Sequence, residues 1–569
     1  MNYGRYNPIN LPLVLRPVRG ICLREGFIGP HCSKRKGNRL SIPLPTLCPT
    51  CRTRRRLAFR NERVLYRDTC DLCGKDILSI FSPDKTNTVY CHDCWWSDRW
   101  DPYQYEREVD LSKGLFAQFS ELLRRTPLPA LSNSNTENCD YVNQTANIKN
   151  CYLAFGTIEA QDCLYGVRIR NDISCLDGLL VEYSELAYEC VASTKIYQSQ
   201  FLHNCSGCSN SFFLYDCNEC RDCLFCWNLR NKQYCVENVQ LSKEEYLKRQ
   251  SELFSAKRTY SGLEGLKKKF ESLVRAKAIH RATIQRACES STGDHLHHCR
   301  QTFNSYQCGD LDQCANLVFV NRAKDVVDAN NSDGTELAYE CCTSGVNGYN
   351  HLFSIDAWPG NSNILYSYFS PNSKNIFGCA SLKRAEYCIL NRQYSKDEYE
   401  ALVPTIVESM RIHGEWGEFF APSVSPWGYN ETCAHEWMGG GKEEMTHLGF
   451  NWCDYSAPMA SSSRALDAHD LPDSIDEVDD EILKAVIRCS VSGKLFRLTK
   501  FELAWYRQEG LPLPRLHPEE RNRLRLAKIP PRQLISRRCQ GCDKPTITTL
   551  PAESGLEVTC TTCYEQAVY

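Results

Sequence analysis

Residues 70–94 read CDLCGKDILSIFSPDKTNTVYCHDC, and residues 539–563 read CQGCDKPTITTLPAESGLEVTCTTC. Both stretches have the spacing C-x2-C-x17-C-x2-C, and one constant offset of 469 positions superposes them. Two close cysteine pairs separated by a loop of this length supply the four thiolates of a tetrahedral structural zinc site. The sequence therefore predicts two zinc ribbons, with the ligands Cys70, Cys73, Cys91, Cys94, Cys539, Cys542, Cys560 and Cys563.

The duplication extends beyond the metal ligands. Arg56-Leu57-Ala58 recurs as Arg525-Leu526-Ala527, and Pro43-Leu44-Pro45 recurs as Pro512-Leu513-Pro514. We therefore expect a basic zinc-ribbon module over residues 1–130 and a second module over residues 483–569.

A further C-x2-C pair precedes the first ribbon. Cys48 and Cys51 form this pair, and Cys22, His31 and Cys32 are candidates to complete a third zinc site. The corresponding C-terminal positions are His517 and Glu520, so a third zinc site and an incidental pair both stay open.

Size and composition favour several domains without a membrane span. The chain has 569 residues, of which 42% are hydrophobic and 24% charged, and this length exceeds a single core. No apolar run reaches the roughly 18 residues of a membrane helix, and prolines interrupt the only apolar stretch near the start. We expect a cytoplasmic protein whose 35 cysteines are zinc ligands and buried thiols, although disulfides stay open for an exported chain.

A second duplication lies between the ribbons. Residues 185–190 read ELAYEC and recur at 336–341, and a twelve-residue period links cysteines 139, 151, 163 and 175. Short β-prone runs at a fixed period are typical of a parallel β-solenoid, in which stacked coils share one core. The sequence predicts a mostly β protein with helices, containing tandem solenoids over residues 131–240 and 289–394. Two twelve-residue steps are expected to form one coil of about 24 residues.

Helices are expected after each solenoid. Ser242 with Glu245, and Ser395 with Glu398, have the spacing of a capping box, and Ser261 with Glu264 adds another. We predict a helical connector over 241–288, a helix and irregular hairpin region over 395–460, and an acidic linker over 461–482.

Three further clusters have competing interpretations. Cys217, Cys220, Cys223 and Cys226 could stack in the solenoid core, bind zinc or hold an iron–sulfur cluster, but the C-x3-C-P ending of ferredoxin runs is missing. Glu185 with Glu189, and Glu336 with Glu340, could act as acid and base or form repeated polar corners. The histidines 295, 297 and 298 indicate a surface turn or a metal site. We expect no enzyme activity, although the question stays open.

Arginines surround both ribbons. They could neutralise phosphates, or they could pack on the solenoids or on the acidic stretch 467–481. The candidates for nucleic-acid contact are Arg52, Arg54, Arg55, Arg56, Arg60, Arg63, Arg67, Arg521, Arg523 and Arg525.

Several motifs carry a resemblance that spans nearly the whole chain. Residues 414–420 (GEWGEFF), 425–432 (SPWGYNET), 91–98 (CHDCWWSD) and 502–506 (ELAWY) resemble those of a large family of cysteine-rich zinc-ribbon proteins from uncultivated, small-genome bacteria. The resemblance implies the domain layout and the zinc but no catalytic residue. Residues 559–563 (TCTTC) depart from the more aromatic and acidic knuckle of that family.

The sequence favours a zinc-stabilised binding or scaffold protein that contacts RNA, DNA or a ribonucleoprotein through its basic modules. The alternatives are a structural subunit of a multimeric surface or particle assembly, which would form homo-oligomers, and a β-helical enzyme acting on polysaccharide.

Overall fold

The computed structural model describes residues 27–28, 41–356, 360–456 and 465–569. The protein is mixed α/β with open sheets. It folds as two compact units of non-contiguous segments. Unit 1 comprises Met1–Ala130 and Ile284–Asp454, and unit 2 comprises Leu131–Thr283 and Tyr455–Tyr569. The segments of each unit are therefore not consecutive in the chain.

The helices are distributed over both units. In chain order they are α1 (Pro49–Leu57), α2 (His92–Trp96), α3 (Leu115–Arg125), α4 (Lys243–Ala256), α5 (Tyr260–Lys277), α6 (Lys396–Ile412), α7 (Cys433–Met438), α8 (Lys442–His447), α9 (Lys500–Glu509), α10 (Pro518–Leu526) and α11 (Thr561–Val568). None of the helices in the described ranges is long and apolar enough to cross a membrane.

Unit 2 contains a stack of parallel strands over residues 133–240, which we call the first ladder. Its residues pair with those twelve positions later, as Gln200 does with Phe212 and Cys223 with Cys235. The parallel pairing therefore repeats every twelve residues and not about every 24 as predicted, and we call each twelve-residue repeat a coil. The strands are Asn133–Glu137, Thr145–Lys149, Ile158–Gln161, Leu179–Glu182, Glu185–Tyr188, Val191–Thr194, Tyr197–His203, Phe212–Tyr215, Arg221–Trp227, Gln233–Val236 and, antiparallel to the last, Val239–Gln240.

A period of three residues explains the short coil. Every third residue from Asn135 to Glu237 has a positive φ, including Asn150 at 52° and Leu153 at 49°. This left-handed conformation turns the chain, and the residue that follows each turn is inward, as Cys151 and Ala154 are. Asparagine tolerates this conformation better than most residues. Asparagine side chains also bond from one coil to the next. For example, the Asn150 amide donates to the Asp162 carboxylate at 2.8 Å.

Unit 1 contains an equivalent stack over residues 285–393, the second ladder. Leu296 pairs with Cys308 twelve positions later, whereas Glu336 pairs with Tyr349 across a longer coil. The strands are Gln285–Arg286, Gly293–His297, Ser305–Asp312, Val318–Asp333, Glu336–Val346, Tyr349–Leu352, Ser362–Leu365, Lys374–Phe377, Glu386–Ile389 and the antiparallel Arg392–Gln393.

A capped helix follows each ladder. Ser242 and Ser395 form the predicted capping boxes of α4 and α6, so these two predictions are confirmed. The third is wrong, because Thr259 caps α5 by accepting from the Gly262 N–H. Ser261 lies inside the first turn, where its hydroxyl donates to Asp473.

The two copies of the terminal duplication form similar small modules, which we call the N-terminal cysteine module (43–100) and the C-terminal cysteine module (512–569). Each has an antiparallel hairpin and a short strand that pairs in parallel with a segment of the same unit. In unit 1 these strands are Tyr66–Thr69, Asp76–Ser79 and Val89–Tyr90 with Leu128–Pro129. In unit 2 they are Ile535–Arg538, Pro545–Thr548 and Val558–Thr559 with His280–Arg281.

The acidic stretch 467–481 is packed rather than a linker, which corrects the prediction. Its apolar residues Ala468, Ile475 and Val478 are buried in the core of unit 2. The acidic residues lie at the surface, where Asp476 pairs with Arg258. Alternation of apolar and acidic side chains allows one face to pack while the other stays solvated. The strands Leu466–Asp467, Ile487–Arg488 and Leu495–Phe496 form a small sheet nearby.

Candidate metal centres and the contacts that hold them

Each cysteine module brings its four predicted ligands together. Within each group of four cysteines, the Sγ atoms all lie within 4.8 Å of one another. The Cys73 and Cys91 sulfurs are 3.9 Å apart, and those of Cys542 and Cys560 are 3.8 Å apart. In the described ranges, these are the two groups of three or more potential ligands that could hold a metal ion.

The local fold creates this geometry in the same way twice. The first cysteine of each module follows a strand, and a tight turn brings the second beside it. Gly74 at φ 72° makes this turn in unit 1 and Asp543 at φ 57° makes it in unit 2. The second pair begins a helix, because Cys91 precedes α2 and Cys560 precedes α11. Four sulfurs held from two directions fit a tetrahedral ion and leave no position for a substrate.

Backbone donors favour the thiolate at one cysteine of each group. Burial opposes ionisation of Cys70, but N–H groups of Cys91, Cys73 and Leu72 outweigh it and lower the pKa to about 6. In the same way, burial opposes ionisation of Cys539, and donors including Cys560 lower its pKa to about 6. The deprotonated form is the metal ligand, so these donors favour the ligating form at Cys70 and Cys539. Burial and the neighbouring cysteines raise the pKa of Cys94 to about 12, and the neighbouring cysteines raise that of Cys563 to about 12.

Buried ion pairs join the N-terminal cysteine module to the second ladder. Arg52 contacts Asp328 at 2.8 Å, and Arg56 contacts Glu340 at 3.0 Å. Arg56 is 0% exposed, and Asp328 and Glu340 are almost as deeply buried. Arg55 pairs with the same Glu340 at 3.3 Å. The helix α1 thus presents its arginines to the ladder.

Equivalent pairs join the C-terminal cysteine module to the first ladder. Arg525, which corresponds to Arg56, contacts Asp177 at 2.5 Å, and Arg521 contacts the same carboxylate. Asp177 is the counterpart of Asp328 at an offset of 151 positions. Glu189, the counterpart of Glu340, instead pairs with Lys267 at 2.9 Å. Burial opposes its ionisation, but Lys267 and Lys528 hold its pKa at about 2.

A cation over an aromatic ring is the second repeated contact. Lys383 of the second ladder lies 5.2 Å from the Trp95 ring centroid and 4.7 Å from that of Trp100. At the matching position in unit 2, Arg230 lies 5.8 Å from the ring of Tyr564. Such contacts strengthen when water is excluded. Both units therefore use the same two kinds of contact between module and ladder.

These contacts account for most of the arginines that are candidates for nucleic-acid contact on sequence grounds. Arg54 and Arg63 are partly buried near Glu444 and Glu436, and Arg67 and Arg523 are exposed. Six are buried in ion pairs and have no surface for phosphate: Arg52, Arg55, Arg56, Arg60, Arg521 and Arg525. The interpretation of these six as phosphate contacts is corrected, because their guanidinium groups pair with buried carboxylates of the protein itself. RNA, DNA or ribonucleoprotein contact through the exposed arginines stays a prediction.

The third predicted metal site is only partly described. Cys48 and Cys51 are exposed at the start of α1, where the Cys51 N–H donates to the Cys48 sulfur at 3.4 Å. Cys22, His31 and Cys32 lie outside the described residues. The run from Cys217 to Cys226 lies inside the first ladder, where its sulfurs are not among the groups in the described ranges that converge within 4.8 Å.

The candidate acid pairs do not form a common site. Glu185 and Glu336 are exposed, whereas Glu340 is buried and Glu189 half-buried in the ion pairs described above. His298 is exposed beside Asp310 at 3.2 Å. Sequence reasoning missed that Glu340 pairs with Arg55 and Arg56, and that Glu189 pairs with Lys267.

No known protein family matches this chain, and a search of the curated proteins found no match.

Proposed function

We propose that this chain is a zinc-stabilised scaffold protein in which two zinc ribbons each fasten a β-solenoid. Zinc is the metal because each site offers four cysteine sulfurs in a closed set, which suits a structural zinc ion. The twelve-residue parallel register supports the solenoid arrangement, since each coil stacks on the next.

One observation carries this proposal: the contact between module and ladder is duplicated along with the sequence. Arg56 and Arg525 are equivalent, and both pair with equivalent buried carboxylates, Arg56 with Asp328 at 3.6 Å and Arg525 with Asp177 at 2.5 Å. A surface for nucleic acid would leave these guanidinium groups exposed to phosphate. Their burial instead makes the metal modules part of the structural framework, and the ladder faces are left to recognise a large partner.

Hydrogen exchange with and without metal tests the proposal. Removal of zinc by a chelator under reducing conditions should raise exchange in both cysteine modules. It should also raise exchange in the ladder segments under them, at 177–189 and 328–340. An increase confined to the modules would contradict a fastening role. The first coils of the first ladder, 133–150, serve as the internal control.

A further inference from the structure

One coil of the first ladder has a cysteine at each of its four inward positions. Cys217, Cys220, Cys223 and Cys226 are each at most 1% exposed. The twelve-residue register places Cys205 and Cys208 in the coil before, and pairs Cys223 with Cys235 in the coil after. We call this set the cysteine column: Cys205, Cys208, Cys217, Cys220, Cys223, Cys226 and Cys235.

The fold does not require this concentration of thiols. The corresponding coil of the second ladder places Ser370, Ser373, Ile376 and Cys379 at its inward positions, all of them buried. Both coils have the same length and the same parallel register. Serine and isoleucine therefore fill a coil of this shape, and the extra sulfurs of the first ladder need another explanation.

The column also has a charged end. Its last member is Cys235. Three positions earlier, Lys232 occupies an inward position of the three-residue period, but its side chain is exposed to solvent. A solvated cation here balances negative charge that develops on the sulfurs.

We propose that the cysteine column binds a soft monovalent cation, Cu(I). Thiolates select soft ions, and the column supplies seven sulfurs that are each at most 2% exposed. In the described ranges, the convergence of three or more sulfurs that suits zinc is found in the two cysteine modules, whereas Cu(I) also accepts two sulfurs in a linear arrangement. Each coordinating thiol releases its proton to solvent and loses its bond to a carbonyl, such as that from Cys220 to Asn218 at 3.3 Å. The metal stays Cu(I) throughout.

Native mass spectrometry of the zinc-loaded 569-residue chain tests this proposal, because it counts both metals on one molecule. Anaerobic titration with Cu(I) buffered by bicinchoninate should add copper while the zinc count stays unchanged. The triple variant Cys217→Ser, Cys220→Ser, Cys223→Ile reproduces the coil of the second ladder. It should keep its zinc and lose most of the added copper.

Three results would overturn the proposal: no copper uptake, copper gained only as zinc leaves, or equal uptake by the triple variant. If that variant does not fold, Cys220→Ser applies the same comparison with a smaller change. Copper X-ray absorption on the wild-type protein gives a second measurement. Sulfur as the only ligand type, with zinc retained, supports the column, and nitrogen or oxygen ligands contradict it.

Discussion

At the residue scale, buried charge holds each cysteine module on its ladder. A buried ion pair contributes little when both partners are replaced together, but loss of one partner leaves an uncompensated charge. Arg525 and Arg523 lie two positions apart on α10, and only Arg525 is buried. The pair therefore offers a matched test of this contact.

We expect Arg525→Ala to lower the free energy of unfolding of unit 2 by about 3 kcal/mol, because Asp177 loses one of its two arginines inside the protein. Arg523→Ala removes an exposed side chain and should change the free energy of unfolding by no more than about 0.5 kcal/mol. Urea unfolding of both variants gives the comparison. Equal effects would contradict the structural role of Arg525.

Asp172 predicts a pH dependence. This carboxyl is buried at an inward position of the first ladder, and burial raises its pKa from 3.8 to about 8 despite a bond from the Ser184 N–H. A raised pKa means that the folded state keeps the proton. Its contribution to stability is complete below about pH 4 and declines as the pH rises to about 8.

In Asp172→Asn this decline should disappear. The stability difference between wild type and variant should change by about 1.4 kcal/mol per pH unit within that window, in the direction that favours the variant at higher pH. Urea unfolding at several pH values measures it. A constant difference would show that Asp172 is already ionised in the folded protein.

The residue scale is also where sequence reasoning was weakest. The arginines of α1 are visible as a basic run, but their partners lie far away, since Arg56 and Glu340 are separated by 284 positions. The sequence shows where the arginines are, but it does not show which carboxylates they contact in the fold. The metal ligands could be predicted because their spacing is local and repeated.

At the element scale, the ladders depend on a repeating triplet of residues. The first has a positive φ and turns the chain, the second points inward and the third points outward. Sequence analysis found the twelve-residue period because cysteines mark one inward position of each coil. It missed the triplet because the inward residues are chemically mixed, with alanine, serine, threonine and isoleucine among them. Polar and apolar side chains alternate irregularly among them, so a hydrophobicity pattern does not detect the period.

A pair of substitutions tests the triplet. Ala160 is inward and buried, and the next residue, Gln161, is outward and exposed. Ala160→Leu should destabilise unit 2 by about 1–3 kcal/mol, because the narrow interior has no room for extra methylene groups. Gln161→Leu adds apolar volume at the surface and should be nearly neutral. Thermal unfolding distinguishes them, and a reversed order would contradict the assigned orientation.

At the scale of the whole molecule, the chain passes between its two units three times. The C-terminal cysteine module belongs with the first ladder, so distant segments share one core. In that core, Tyr188 of the ladder lies 5.1 Å from the Trp505 ring of α9. The sequence showed the duplications but not this grouping, because repeated modules can pair in more than one order.

Truncation distinguishes the observed grouping from a serial one. Removal of residues 512–569 leaves Asp177 without its arginines. We expect limited proteolysis to cut the first ladder, 133–240, while the second ladder stays resistant. Cleavage of both ladders at equal rates, or of neither, would contradict this grouping.

The central claim is that both cysteine groups hold structural zinc. Native mass spectrometry of the purified chain, beside Cys70→Ser and Cys539→Ser, tests it most directly. If both groups bind zinc, the wild type carries one ion more than either variant, and each variant loses the ion of its own module. A wild-type protein without zinc, or variants that keep the full zinc count, would contradict the claim.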